Sequence, residues 1–259
     1  MAEGARQRHV QSALGMVPVA VFLIAWELAA RLELFPGGFS FPAFSAVGME
    51  FYRLTVNGVL GENFLSSLTR VLVGFSIGSL AGIALGVVIG WKEVVRKALS
   101  PIISLLYPIP ALGWLPLLML WIGINEMLPV TIIFLCSFFP VVYNTATGIR
   151  NVDKKYVQAA ETLGASHACI LFRVVLPLAL PNVFTGLRLQ AGMAWRVLVA
   201  AEMIAIPTGI GALVMRAESL VRVDMILVCL IVLSVMCLVF DHVFLFLERR
   251  LTGKWSPGA

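Results

Sequence analysis

Residues 71–91 read VLVGFSIGSLAGIALGVVIGW, and this stretch decides the class of fold because it contains no charged residue. A helix that spans a bilayer needs roughly 18 or more apolar residues. Two further runs, Ser100–Asn125 and Met127–Ile149, are also uncharged and longer still. Such segments are too long for the strands of a transmembrane barrel, which have roughly ten residues. In lipid a segment of this length can satisfy its backbone hydrogen bonds only by forming a helix. The sequence therefore predicts an all-α integral membrane protein.

The overall composition supports the same class. Of the 259 residues, 60% are hydrophobic and only 13% are charged, whereas soluble domains carry roughly 25% charged residues. The net charge of +5 comes from basic residues that are scattered between the apolar runs, and a nucleic-acid-binding surface would gather them into a patch. We therefore predict membrane lipid as the surroundings of the chain and no nucleic-acid partner.

The chain is predicted to form one transmembrane domain, residues 1–259, with about six spanning helices. These lie near residues 13–33, 68–91, 99–123, 128–149, 184–206 and 225–247. Residues 1–12 precede the first span, and residues 68–247 contain the core helices. The first span has the alternative interpretation of a cleaved signal peptide, but Glu27 interrupts the approach to a cleavage site, which favours a retained helix.

The distribution of Lys and Arg predicts the orientation, because basic residues are retained on the cytoplasmic side. With the N-terminus inside, twelve basic residues fall in cytoplasmic segments: Arg6, Arg8, Lys92, Arg96, Lys97, Arg150, Lys154, Lys155, Arg173, Arg249, Arg250 and Lys254. Three fall in external connections: Arg53, Arg216 and Arg222. We therefore expect a multi-pass protein of a bacterial inner membrane with both termini in the cytoplasm.

Two of the predicted spans are unusually rich in glycine or proline. The second span carries a glycine at every fourth position, namely Gly74, Gly78, Gly82, Gly86 and Gly90, which indicates a close contact between helices. The third span carries four prolines, Pro101, Pro108, Pro110 and Pro116, which kink or break a helix. Irregular backbone at membrane depth needs cover from protein or water, so this span is either a kinked packing helix or part of a translocation path.

The connection 150–182 is the longest cytoplasmic segment, far longer than is needed to join two neighbouring helices, and is predicted to have a function of its own. Asp153 is suited to cap a helix that begins at Lys154, and Gly164 is suited to end it. Four apolar residues recur at helical spacing and predict one narrow apolar face: Tyr156, Ala159, Ala160 and Leu163. A second helical stretch, 166–176, then meets Pro177 and Pro181, which we expect to form a rigid corner into the fifth span.

Ionisable residues inside the last two predicted spans are candidates for function. Arg188, Trp195 and Glu202 follow at steps of seven and share one helix face, which should turn away from lipid. Arg196 lies near the predicted midplane and needs an anionic partner. That partner is either a protein carboxylate, from Glu202 or a neighbouring subunit, or an anionic substrate. Asp241 and His242 are predicted to pair with each other at a packing contact rather than to relay protons.

At this point the sequence resembles a known family. Gln158-Ala159-Ala160, Gly164, Val174 and Leu176-Pro177 match the spacing of the E-A-A-x3-G-x9-I-x-L-P loop of binding-protein-dependent ABC importer permeases. Gln158 replaces the usual glutamate, and Val174 replaces the isoleucine. Further stretches resemble the nitrate, sulfonate, taurine and bicarbonate branch: residues 108–117, residues 120–126, and Trp195 followed by 199–202.

The resemblance implies a permease of the MetI-like type I importer fold, with no enzymatic activity of its own. It further implies a second permease copy, two cytoplasmic ATPase subunits that use ATP and Mg, and a periplasmic or lipid-anchored substrate-binding protein. The expected ATPase-docking residues are Tyr156, Gln158, Ala159, Ala160, Leu163, Gly164 and Pro177. The expected path or substrate residues are Pro108, Pro110, Trp114, Trp121, Trp195, Arg196 and Glu202. The expected solute is small and anionic, such as a sulfonate, taurine or nitrate.

The residues themselves agree that ATP is hydrolysed elsewhere. The one Gly-Lys pair, Gly253-Lys254, has Glu248 where a phosphate-binding loop needs its first glycine and Trp255 where it needs Ser or Thr. The sequence also offers no grouping typical of a hydrolase or a metal site, so neither cofactor nor metal is expected on this chain. A secondary transporter that works without an ATPase is the alternative, although such folds often show internal repeats and none is evident here.

Overall fold

The structure, a computed structural model, describes residues 17–18, 21–32 and 41–252, and this part of the chain contains helices and no strand. Residues 21–31 form a helix that we call α1. The later helices are α2 (Phe44–Val56), α3 (Val59–Trp91), α4 (Glu93–Leu106), α5 (Leu115–Ile122), α6 (Met127–Arg150), α7 (Lys154–Thr162), α8 (His167–Ile170), α9 (Leu176–Ala205), α10 (Ile210–Ser219) and α11 (Val223–Thr252). The predicted all-α fold is confirmed.

Four helical segments in the described ranges are long and apolar enough to cross a membrane: Val59–Trp91, Met127–Arg150, His167–Ala205 and Val223–Leu251. Helix α4 and the segment Ala111–Ile122 form a fifth candidate if they are taken together as one bent span. The predicted first span, 13–33, lies partly outside the described residues. The described chain therefore has four or five candidate spans, and the predicted count of six is not confirmed.

Helix α3 packs against α6 along its row of glycines, as the spacing predicts. A Cβ atom added to any of the five would have its nearest atom of α6 at 2.6–2.9 Å. Each glycine faces the carbonyl oxygen of the residue 56 positions further along the chain, which is also the separation of Arg70 and Glu126. The paired carbonyls belong to Val130, Phe134, Phe138, Val142 and Ala146. The two helices therefore run parallel in one constant register.

The proline-rich span is broken rather than gently kinked. Helix α4 ends at Leu106, and the chain resumes at Ala111 as a 3₁₀ turn that leads into α5. The two halves are inclined by 87° to each other. Pro108 and Pro110 lie in the break, where each removes a backbone donor and disfavours helical geometry in the residue before it.

The predicted corner at Pro177 and Pro181 is wrong, because the chain is helical without interruption from His167 to Ala205. A π-helical turn, Leu171–Val175, joins α8 to α9 just before Pro177. In an α-helix the ring of Pro177 would meet the carbonyl of Arg173 four residues earlier. Arg173 lies in the widened turn, so the helix accommodates the proline and continues.

Helices α6 and α9 pack through two reciprocal contacts. A Cβ on Gly148 of α6 would lie 2.7 Å from the Cβ of Asn182 on α9, and one on Gly186 of α9 would lie 2.8 Å from the Cβ of Asn144 on α6. Trp195 of α9 is buried in the adjoining core, where its ring meets that of Phe240 edge-on at 5.4 Å. Close backbone approach and a large aromatic side chain thus fix the position of α9.

The chain forms two compact units. Among the described residues, one unit comprises those up to Gly61 together with Leu213–Ile231, and the other comprises Glu62–Ala212 and those from Val232 to Thr252. In the first unit, Arg222 contacts Asp224 at 2.7 Å and Glu50 at 2.6 Å, and these carboxylates raise the pKa of the guanidinium. The second unit contains every residue of the candidate site.

Candidate functional site

The predicted coupling helix is present as α7, and both of its ends are capped as the sequence indicates. Asp153 accepts a hydrogen bond from the backbone N–H of Lys155 at 2.9 Å. At the other end, Gly164 adopts a φ of 77° and donates to Glu161, while Ala165 donates to Ala160. This pair of bonds is a Schellman motif, in which glycine occupies the left-handed position without strain. The helix is therefore fixed at both ends by local interactions.

The four residues of the predicted apolar face do not all lie on the same side of α7. Tyr156 and Leu163 are 51% and 87% exposed, and Gln158 and Ala159 are exposed beside them. Ala160 instead packs, with Val157, against a buried cluster formed by Ile149, Ile170, Val175 and Ala179. The two alanines thus lie on different sides of the helix, since adjacent helical residues differ by about 100°. One side of α7 is attached to α6 and α9, and the other is open.

Glu202 is fully buried and lies in a hydrogen-bonded network near the end of α9. Its carboxylate accepts bonds from Ser67 Oγ at 2.9 Å, Arg70 Nη1 at 2.6 Å and the backbone N–H of Gly211 at 3.0 Å. The Ser67 hydroxyl also accepts a bond from the Ile210 N–H. This arrangement supplies several donors to the charge, which is what a buried carboxylate requires.

Arg70 uses all five of its N–H donors in the same network. Nε and Nη2 bind the Glu126 carboxylate in a bidentate pair at 2.7 and 2.8 Å. Nη1 donates to Glu202 and to the Thr208 carbonyl, and Nη2 also reaches the Thr208 hydroxyl. Arg70 therefore joins α3, the start of α6, α9 and the loop that precedes α10.

Sequence reasoning missed Arg70 and Glu126 as members of this network. The available signal was that Arg70 immediately precedes a charge-free run and needs a counter-ion if it is buried. The proposed pairing of Arg196 with Glu202 of the same chain is wrong, because Arg70 already occupies that carboxylate. Glu202, although predicted as a path residue, lines neither of the cavities described next.

The first cavity lies at the break between α4 and α5 and has a volume of about 430 Å³. Its walls include three of the predicted path residues, Pro108, Pro110 and Trp114. Gln190 and Met193 of α9 also line it. The irregular backbone of the broken span thus borders a cavity, as expected where such backbone is tolerated.

The second cavity, of about 650 Å³, contains Arg196 and shares Gln190 and Met193 with the first. Arg196 is exposed, and its Nη1 lies 3.7 Å from Met193 Sδ. Arg188 lines the same cavity but is neutralised by Asp241 at 2.6 Å. Within the described residues Arg196 makes no ion pair, although Asp241 and Glu248 also line this cavity.

The remaining predicted residues lie elsewhere. Trp195 belongs to the buried core, and Trp121 is exposed on α5. Neither tryptophan lines either cavity. The predicted pairing of Asp241 with His242 is wrong, since Asp241 binds Arg188 and His242 Nδ1 contacts the Leu238 carbonyl of its own helix. In the described part of the chain, no group of three His, Cys, Asp or Glu side chains is placed to hold a metal ion.

The fold and the site define a multi-pass membrane permease. Residues 74–253 match the family described as "Binding-protein-dependent transport system inner membrane component". The chain belongs to this family and is a permease subunit of the ABC transporter class. Both the predicted family and the MetI-like fold are thereby confirmed.

Several relatives cover most of the chain. A putative ABC transporter permease protein of Methanocaldococcus jannaschii is 40% identical over 77% of this chain and 75% of its own length. The taurine transport system permease protein TauC of Escherichia coli is 35% identical over 93% of this chain and 90% of its own length. The nitrate import permease protein NrtB of Synechocystis is 34% identical, with coverage of 90% and 86%.

Solved structures share the fold. The MetNI methionine ABC transporter in an inward-facing form aligns with a TM-score of 0.63 at 14% identity, over 73% of this chain and 94% of that one. An amino acid ABC transporter crystallised with histidines aligns with a TM-score of 0.62 at 19% identity, over 77% and 97% of the two chains. The agreement extends over nearly the whole of each solved chain.

Proposed function

We propose that this chain forms the translocation path of an ATP-driven importer in a bacterial inner membrane, with both termini in the cytoplasm. In the proposed assembly two copies of the chain pair as a homodimer, and two cytoplasmic subunits bind and hydrolyse ATP with Mg. A periplasmic or lipid-anchored protein delivers the solute. The family is named for transport that depends on a binding protein, and this name supports the assembly.

The observation that carries the proposal is the open side of α7. Tyr156 and Leu163 are large apolar residues that remain exposed on a helix capped at both ends. Exposed apolar residues grouped on a rigid element are typical of a protein interface. We therefore assign Tyr156, Gln158, Ala159 and Leu163 to direct contact with the ATPase subunit, and Gly164 to ending the helix that presents them.

The other side of α7 provides the mechanical link. Val157 and Ala160 pack on the cluster that contains Ile149 of α6 and Val175 at the start of α9, and Trp91 of α3 joins the same cluster. A displacement of α7 by the ATPase is therefore passed to three spanning helices through side chains in contact. Ala160 acts within this link rather than at the docking surface, and Pro177 lies in the first turn of α9.

We further propose that the solute is a small anion such as a sulfonate, taurine or nitrate, and that it passes Arg196. The taurine and nitrate permeases among the relatives support this substrate class. The two cavities that share Gln190 and Met193 provide a route along the broken helix to the Arg196 side chain. In this assignment the Arg70–Glu202 network holds the helix ends together, and the solute does not contact Glu202.

Co-purification with the ATPase tests the proposal. The variant Leu163→Ser removes the most exposed apolar side chain of α7, and Leu220→Ser removes a similarly exposed leucine from the end of α10. We expect the first variant to lose the ATPase and ATP-dependent uptake in proteoliposomes, and the second to keep both. Uptake driven by an ion gradient without an ATPase would instead establish a secondary transporter.

A further inference from the structure

Helices α4 and α6 present matching polar faces to each other toward the end of α6. Each face consists of three polar residues at steps of four and three: Ser100, Ser104 and Tyr107 at α4, and Tyr143, Thr147 and Arg150 on α6. Such spacing places each set on one side of its helix. The rings of Tyr107 and Tyr143 stack at 5.1 Å with an interplanar angle of 9°. The remaining members extend from this stack toward Arg150.

A separate cavity of about 100 Å³ lies along these faces. Arg96 and Arg150 line it, together with the hydroxyl residues Ser100, Ser104 and Thr147. Its apolar walls are formed by four buried residues that pack together: Ile89, Ile103, Val142 and Ala146. The cavity thus combines positive charge and hydroxyl groups with an apolar wall. The low dielectric constant of such a wall strengthens electrostatic interactions inside the cavity.

The charges of the cavity are not balanced. No Asp or Glu is among the described residues that line it. Arg96, which lines the cavity, contacts Glu93, an exposed residue that does not line it, at 3.4 Å, and an ion pair with an exposed partner is held weakly. Arg150 makes no ion pair within the part of the chain that the structure describes. Two guanidinium groups therefore share one small space without a carboxylate between them.

The hydroxyl groups of the cavity are also available. Thr131 and Ser137 of α6 bond to the carbonyl four residues earlier, as helical Ser and Thr residues commonly do. Ser100, Ser104 and Thr147 make no such bond among the described residues. Their hydroxyl protons are free to point into the cavity and donate to a ligand.

We propose that this cavity is a binding site for an oxyanion group of the phosphate or sulfonate kind. Guanidinium groups bind such oxygens in bidentate pairs, and hydroxyl donors complete the coordination. A volume of about 100 Å³ is several times the roughly 10–15 Å³ that one water molecule needs, so the cavity has room for a small oxyanion group. The proposal concerns ligand binding by this chain and holds whether or not an ATPase is attached.

The oxyanion has two possible sources, and one assay separates them. Basic pockets between spanning helices on the cytoplasmic side bind the headgroups of anionic lipids, and a dissolved anion offers the same chemistry. Purified full-length protein in neutral detergent is titrated with inorganic sulfate, with inorganic phosphate, and with mixed micelles of phosphatidylglycerol or phosphatidylcholine. Thermal stabilisation at constant ionic strength reports binding.

We expect Arg96→Gln and Arg150→Gln to weaken binding about tenfold or more, because each removes a charge-assisted contact. Arg173→Gln, which alters an exposed arginine outside the cavity, is the matched control and keeps wild-type affinity. Thr147→Val, which preserves shape, provides a second test if an arginine variant does not fold.

Stabilisation by sulfate or phosphate that depends on these residues identifies a dissolved anion as the ligand. Stabilisation by phosphatidylglycerol alone, with the same dependence, identifies a lipid headgroup. An absence of stabilisation by every probe overturns the proposal, and so does equal weakening in Arg173→Gln.

Discussion

Arg70 and Glu202 are 132 residues apart in the sequence, yet Nη1 of Arg70 donates to Oε1 of Glu202 across 2.6 Å in a buried setting. The Glu202 side chain has no exposed surface, and that of Arg70 has 5%. Glu202 therefore depends on Arg70 for compensation of its charge, because water cannot solvate the carboxylate. Arg70 is also paired with Glu126. The Arg70–Glu202 pair ties the N-terminal half of α3 to the end of α9.

Removal of Arg70 alone is predicted to destabilise the protein strongly. Arg70→Met leaves the buried Glu202 without its cation, which costs about 3–5 kcal/mol of unfolding free energy. The double variant Arg70→Met/Glu202→Gln removes the stranded charge and recovers part of the loss. Thermal unfolding in detergent measures both. Arg31→Met, which breaks the exposed pair with Glu27, is the control and is expected to leave the unfolding midpoint nearly unchanged, because exposed ion pairs contribute little to stability.

The contact between α3 and α6 predicts a severe effect for a single methyl group. In Gly78→Ala the new Cβ would lie 2.7 Å from the backbone oxygen of Phe134, so the helices must separate at a cost of about 1–3 kcal/mol. Gly192→Ala on α9 meets no atom within 4 Å and is expected to be neutral or stabilising by up to about 1 kcal/mol. Equal unfolding midpoints for the two variants would contradict the close contact.

Glycine at the end of α7 is predicted to matter for assembly beyond its effect on stability. Gly164 and Gly58 have φ values of 77° and 75°, and a methyl group added to either would meet no atom within 4 Å. Alanine at either site therefore carries a similar strain of about 1–2 kcal/mol. We expect Gly164→Ala to reduce co-purification of the ATPase and Gly58→Ala to leave it unchanged. If both variants lost the ATPase to the same extent, the effect would be due to reduced stability alone.

Arg196 is predicted to govern transport without affecting the fold. The side chain is exposed in its cavity and has no carboxylate partner in the described chain. Arg196→Met is expected to reduce uptake of taurine or nitrate about tenfold or more, since a charge-assisted contact contributes about 1.5–3 kcal/mol. Arg196→Lys keeps the charge and retains more of the uptake. Wild-type uptake by the Met variant would exclude Arg196 from the path.

Features set by neighbouring residues were predictable from the sequence. Asp153 and Gly164 mark the two ends of α7 because capping depends on backbone groups within a few residues. The four-residue glycine period likewise predicts a close helix contact, although the sequence does not say which helix approaches. The break at Pro108 and Pro110 follows from the missing donors and fixed φ of proline.

Partners that are distant in the sequence were not predictable. Glu202 invited pairing with the nearby Arg196, whereas the structure supplies Arg70 from another helix. Asp241 pairs with Arg188 instead of the adjacent His242 for the same reason. The division of Ala159 from Ala160 depends on which side of α7 meets the rest of the chain, and helical periodicity alone does not decide that.

The glycine row on α3 also has a consequence for how the two parallel helices are aligned. Because the contacts recur at every fourth residue with an offset of 56, a shift of α3 by one such step, about 6 Å, would recreate most of them. The row by itself sets the distance between the helices but leaves their axial alignment ambiguous. Arg70 and Glu126 have the same offset of 56 and form an ion pair that the shifted alignment would not reproduce. The Arg70–Glu126 ion pair thus selects one axial alignment of α3 and α6 from several that the glycine contacts alone would permit.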